Sequence, residues 1–176
     1  MKAFLPMLAI FLFVHPKPRK GEFSTEHFTL AYPEEWVVRP VENTTKVNLI
    51  LETEKFSIWS PLKPDEDRKV LKLTTPSTIY YKKSPSIKKI NNEIWKGAKR
   101  KLVEPERVSS EQGERDGVSY IKTVVTSQVG FGFETTEYYV FSINDTPYVL
   151  YMTTSRKDYD KQSQAWRQIW SDINFQ

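Results

Sequence analysis

ETTEYYVFSINDTPYVLYMTT, residues 134–154, is the stretch that decides the fold. It holds two runs rich in aromatic and β-branched residues, ETTEYYVFSI and PYVLYMTT, joined across NDT. Such runs read as strands paired through a hairpin. Side chains alternate across a strand. Tyr138 and Val140 therefore fall on one side, and Tyr139, Phe141 and Ile143 on the other. Both sides are apolar, so this sheet needs cover on both faces.

Upstream, RVSSEQ and GVSYIKTVVTSQ flank GERDG, whose Asp116-Gly117 step is a hairpin signal. VGFGF, 129–133, supplies glycines for the next tight turn. Residues 107–154 thus read as a four-strand antiparallel meander.

The cover comes from two segments of helical period. In SPSIKKINNEIWKGAKRKLVEP, 84–105, the residues Ile87, Ile90, Ile94, Trp95, Ala98 and Leu102 share one arc. Ser84 or Ser86 caps the start, and Pro105 stops the helix. In SRKDYDKQSQAWRQIWSDINF, the residues Tyr159, Trp166, Ile169, Trp170 and Ile173 share a face, with Ser155 or Asp158 as the cap.

The first half is strand-like. Residues 26–32 alternate up to Pro33, and 33–36 turn so that Trp36 tucks under the sheet. KVNLILET, 46–53, reads as a strand, which EKFSIWSP either continues or folds back on. LKPDEDRK, 62–69, reads as a polar loop, and KVLKLTTPSTIYYKK, 69–83, as strand material broken at Pro76. The expected fold is α+β: an antiparallel sheet with a four-strand meander, covered by helices on both faces as an α/β/α sandwich.

The chain has 176 residues, 39% of them hydrophobic and 27% charged, which suits one globular domain with its own core. It has no cysteine, which excludes disulfides, thiol nucleophiles, Cys-based metal sites and lipid attachment at an N-terminal Cys. Net charge is +4, too modest by itself to argue for nucleic acid. MKAFLPMLAIFLFV has the length of an export-signal core, although no small-x-small cleavage site follows and Lys17, Arg19 and Lys20 come directly after. The expectation is an export signal or short anchor over 1–20 and a single domain over 22–176. A buried native segment is the other reading of the leader.

F-x-L-x-Y-P-x-x-W, carried by Phe28, Leu30, Tyr32, Pro33 and Trp36, resembles the opening of the PsbP-like family. GVSYI, EYYVF, PYVLYMTTS and DYDKQSQAWRQIWSDINF extend the resemblance over nearly the whole chain after residue 22. The family includes the photosystem II extrinsic protein, Ran-binding Mog proteins and DcrB-type periplasmic proteins. The resemblance implies this fold and non-enzymatic accessory work. It carries no site residues over.

Candidate chemistry is sparse. Of the two histidines, His15 lies in the leader and His27 begins a strand with no evident triad or metal partner. Glu34 and Glu35 are adjacent on a turn and read as solvent-side. GERDG and PDEDR read as a turn and a loop rather than cation sites, and VGFGF lacks the pattern of a phosphate loop. Trp59, Tyr80, Tyr81, Tyr138, Tyr139 and Tyr151 read as core and cross-strand pairs, with an apolar ligand groove as the sharper alternative. Asn43-Thr44-Thr45 is a glycosylation sequon, meaningful only in a eukaryotic secretory pathway. The strongest candidate is the basic arc of the first helix: Lys88, Lys89, Lys96, Lys99 and Arg100.

The reading is a non-enzymatic exported module, periplasmic or extracellular, that docks on a protein partner in the envelope, at a membrane surface in one version. It has no catalytic residues, metal or cofactor, and nucleic acid is disfavoured. The alternatives are a cytosolic chaperone or GTPase-type adaptor of the same fold, and a small-ligand carrier or hydrolase.

Overall fold

A computed structural model describes residues 20–47, 50–60, 70–78 and 84–176. The leader before Lys20, the loop at 62–69 and the Tyr80-Tyr81 pair lie outside the described residues. The elements are β1 (Lys20–Ser24), β2 (Phe28–Pro33), β3 (Val37–Val47), β4 (Ile50–Trp59), β5 (Val70–Thr78), α1 (Ile87–Lys101), β6 (Val103–Arg115), β7 (Val118–Val129), β8 (Gly132–Ile143) and β9 (Thr146–Ser155). A 3-10 turn (Arg156–Asp158), α2 (Tyr159–Ser171) and β10 (Asn174–Phe175) follow.

The fold is α+β, with a seven-stranded sheet of order β3-β4-β5-β9-β8-β7-β6 and a three-stranded sheet of order β1-β2-β10. Neighbouring strands pair antiparallel. Two hairpins of the large sheet turn through left-handed pairs: Asp116 (φ 52°) with Gly117 (φ 77°), and Asn144 (φ 48°) with Asp145 (φ 62°). Positive φ at both positions matches the twist of the flanking strands. Gly113 has a different role: a side chain there would strike the ring of its cross-strand partner Tyr120.

The double-sided pattern of β8 sorts its residues into two cores. Tyr138 and Val140 pack with Val125, Val149 and the α1 residues Ile90 and Ile94. Tyr139, Phe141 and Ile143 pack with Tyr148, Leu150 and Met152, the β2 residues Phe28 and Leu30, and Trp166, Ile169 and Trp170 of α2. Trp170 lies flat on Tyr139, with ring centroids 4.1 Å apart. At the far end of α2, Arg115 donates to the carbonyls of Trp170 and Ile173, satisfying acceptors a helix terminus leaves open.

The PEEW step is structural. Pro33 closes β2 opposite Lys20, and the Trp36 amide donates to the Pro33 carbonyl at 3.0 Å. Glu34 and Glu35 are exposed, while Trp36 is half-buried against the α2-side core.

Several boundaries differ from the sequence reading. The strand expected over 46–53 is two strands, because β3 ends at Val47, directly opposite Ile50, where β4 begins. The alternation of Val47, Leu49 and Leu51 runs on through the reversal and hides it. β5 continues through Pro76, since its pairing with β9 ends at Thr74 and Pro76 faces β4 alone; proline is tolerated at such an edge. α1 stops at Lys101, and Pro105 lies inside β6. Leu102, expected on the apolar arc, is exposed. β10 is a short strand that the helical reading of the C-terminus passed over. The two edge strands each carry a proline, Pro40 and Pro105, and bulges interrupt their registers. Such features discourage edge-to-edge pairing with other chains.

Candidate interaction surface

α1 is held from below and open above. Ser86 caps it, its side chain accepting the Lys89 amide at 3.3 Å. Ile90 and Ile94 anchor it to β7, β8 and β9. On the inner side Asn91 accepts a hydrogen bond from Thr123 at 2.9 Å, a buried polar contact that fixes how the helix sits on β7. The opposite arc presents Lys88, Lys89, Lys96, Lys99 and Arg100, all exposed.

These cations differ in what already engages them. Lys96 reaches the largely buried Glu93 at 2.9 Å, so part of its charge is answered within the helix. Lys99 lies 5.7 Å from the centre of the Trp95 ring, and Arg107 of β6 lies 4.6 Å from it. Trp95 is half-buried and borders the α1-side core, so its ring carries cations at the edge of the basic face. Periodicity points to the lysines of α1. It gives no hint of Arg107, which reaches this ring from another element.

Glu137 in β8 is fully buried. Its Oε1 accepts from the Tyr139 hydroxyl at 2.7 Å and its Oε2 from the Tyr159 hydroxyl at 2.8 Å. Lys122 Nζ stands 3.6 Å from Oε1. Burial, reinforced by the Glu137 charge, pushes the Tyr139 phenol far above its ordinary range. Burial and the hydrogen bond to Glu137 push Tyr159 up in the same way. This is a closed network of hydrogen bonds, and the sequence reading named neither Glu137 nor Lys122. An acid directly before the apolar run of β8 and a lysine within β7 are the signal that was available.

His27 does have a partner. Its Nδ1 lies 2.7 Å from the Tyr148 hydroxyl and 3.8 Å from exposed Glu26. Burial raises the Tyr148 phenol. The contact ties the residue before β2 to β9 of the large sheet. GERDG turns at Asp116-Gly117 and VGFGF at Gly130-Phe131, with their flanking residues in the strands, and Tyr138 and Tyr151 form a cross-strand ring pair at 5.7 Å. Among the described residues, no cluster of three or more His, Asp or Glu side chains could hold a metal ion. Among the same residues, no helix is long and apolar enough to cross a membrane.

No family model matches the chain, and no curated protein matches it by sequence. Solved structures do share its fold. Cyanobacterial PsbP (CyanoP) of Synechocystis sp. PCC 6803 superposes with a TM-score of 0.63 at 12% identity, covering 90% of this chain and 94% of that one. PA94 of Pseudomonas aeruginosa, a protein of unknown function, gives 0.57 at 10% identity, covering 87% and 94%. LpqN of Mycobacterium tuberculosis, involved in cell envelope biogenesis, gives 0.56 at 12% identity, covering 89% and 90%. The chain has the PsbP-like fold, as the residues Phe28 to Trp36 implied. At these identities the likeness carries architecture alone.

Proposed function

We propose that this protein is a non-enzymatic accessory module that docks an acidic surface of a protein partner through the basic face of α1. The observation that carries the reading is that face: Lys88, Lys89, Lys99 and Arg100 exposed on a helix whose opposite side is locked to the sheet. A rigid array of cations steers an acidic partner and fixes its orientation. The architecture fits the task, with the β6–β9 meander as the platform of an α/β/α sandwich and α1 as its outer layer on one side. The engagement of Glu137 with Tyr139 and Tyr159, away from solvent, supports the non-enzymatic part. LpqN's involvement in cell envelope biogenesis and the apolar run of residues 3–14 favour an exported protein working in the envelope.

The test is a charge reversal, Lys88→Glu with Lys89→Glu, Lys99→Glu and Arg100→Glu, in crosslinking from intact cells. A specific envelope protein should be crosslinked by the wild type and lost at least about tenfold in the variant, with capture by the wild type falling as salt rises. Equal crosslinking by variant and wild type, or capture insensitive to salt, overturns the docking face. Intact mass and fractionation of the native protein test export: a full-length cytosolic chain refutes it.

A further inference from the structure

A different surface stands at the end of the large sheet where β7 turns into β8. The turn is Gly130-Phe131, between Val129 of β7 and Gly132-Phe133 of β8, and Phe131 is completely exposed. Val129 and Phe133 are exposed beside it. Val103 pairs with Gln128 in the next strand, which brings exposed Leu102 and Val103 to the same end. Gly130 sits at φ 57°, a conformation that suits glycine and keeps the turn tight. The tip projects beyond both cores, so nothing in the described fold buries it.

Cations gather one step behind this apolar tip. Arg156 follows β9 and lies 5.7 Å from the centre of the Phe133 ring. Lys157 is next to it, and Lys99, Arg100 and Lys101 end α1 immediately before Leu102. Among the described residues, the acids at this end are Glu104, Glu106, Glu134, Asp158 and Asp160. Asp158 accepts the Ser155 hydroxyl at 3.0 Å, and Glu134 follows Phe133 in β8 and so points to the opposite face.

We propose that this hairpin tip is an insertion finger for an anionic lipid surface. Val129, Phe131 and Phe133 enter the boundary between headgroups and acyl chains, and Arg156 with the last-turn cations of α1 meets lipid phosphates. Two features favour lipid over protein. The tip is convex, so a protein partner must supply a preformed pocket for Phe131, whereas a fluid interface needs none. The layering also matches a bilayer, with apolar and aromatic groups foremost and cations behind. This surface shares Lys99 and Arg100 with the docking face, but the tip residues Val129, Phe131 and Phe133 form no part of that face, so changes at the tip test insertion separately from partner docking.

The absence of cysteine makes the test direct. Phe131→Cys in the full chain gives a single attachment point for a polarity-sensitive dye, and Asn144→Cys, on the turn at the opposite end of the sheet, is the control. With vesicles of phosphatidylglycerol and phosphatidylcholine, the dye at 131 should shift to the blue and be quenched by spin-labelled lipid, while the dye at 144 does neither. A dye at 131 that stays unresponsive, or responds no more than the one at 144, overturns the proposal. The apolar run at residues 3–14 can partition by itself, so the second measurement is comparative. Phe131→Ser with Phe133→Ser should lower binding of the full chain to these vesicles by about tenfold or more. Unchanged binding also overturns the finger.

Discussion

Replacing Glu137 by leucine tests the central network of the sheet. The substitution strips the acceptor from two tyrosine hydroxyls and the counter-charge from Lys122. A hydrogen bond to a charged group contributes about 1.5–3 kcal/mol, and removing one partner of a buried ion pair costs about 3–5 kcal/mol. These overlap, because the same carboxylate makes all three contacts, so they do not add. Lys122 retains some exposure and recovers part of its hydration, which holds the expected loss near 3–4 kcal/mol. That is a large share of the roughly 5–15 kcal/mol that stabilises a domain of this size. Urea unfolding followed by tryptophan fluorescence measures it, with Trp170 stacked on Tyr139 as a nearby reporter. Tyr139→Phe alone should lose about 1.5–3 kcal/mol. In the double variant the phenylalanine no longer needs an acceptor, so the combined loss should fall well short of the sum. A Glu137→Leu loss below about 1 kcal/mol, or full additivity with Tyr139→Phe, refutes the view that this carboxylate is a satisfied buried charge.

Trp170→Ala should lose about 3–5 kcal/mol, since its ring is buried and contacts Tyr120, Tyr139 and Phe141. Trp36→Ala, at a half-buried ring, should lose clearly less, and equal losses in urea contradict the burial difference. Stability should also fall in alkali. Tyr139 and Tyr159 have phenols raised in the folded state, so above about pH 10 the unfolded chain releases protons that the folded chain keeps. Each such buried tyrosine lowers stability by up to about 1.4 kcal/mol per pH unit beyond that point. Unfolding midpoints flat between pH 9 and 11 contradict it.

The antiparallel strands of the second half and both helices were legible because their signals are local. Alternation in β8, the Asp116-Gly117 step and the isoleucines of α1 each speak within a dozen residues. The β3–β4 reversal was not legible, because alternation continues across it without glycine or proline. β10 is too short to show a period and exists only by pairing with Thr29 and Phe28. The basic arc followed from helical spacing. The cations on the Trp95 ring, and the bond between Lys96 and Glu93, depend on side-chain reach that spacing does not encode. Arg115 looked like a turn residue because its helix-end partners lie some 55 residues downstream.

The small sheet has a temporal consequence. β2 is flanked by β1 on one side and by β10 on the other, and the Gln176 amide donates to the His27 carbonyl at 2.9 Å. During synthesis β2 therefore waits, half-paired with β1, until residues 174–175 have been made. Its Phe28 and Leu30 have no complete core until α2 and residues 174–175 have emerged.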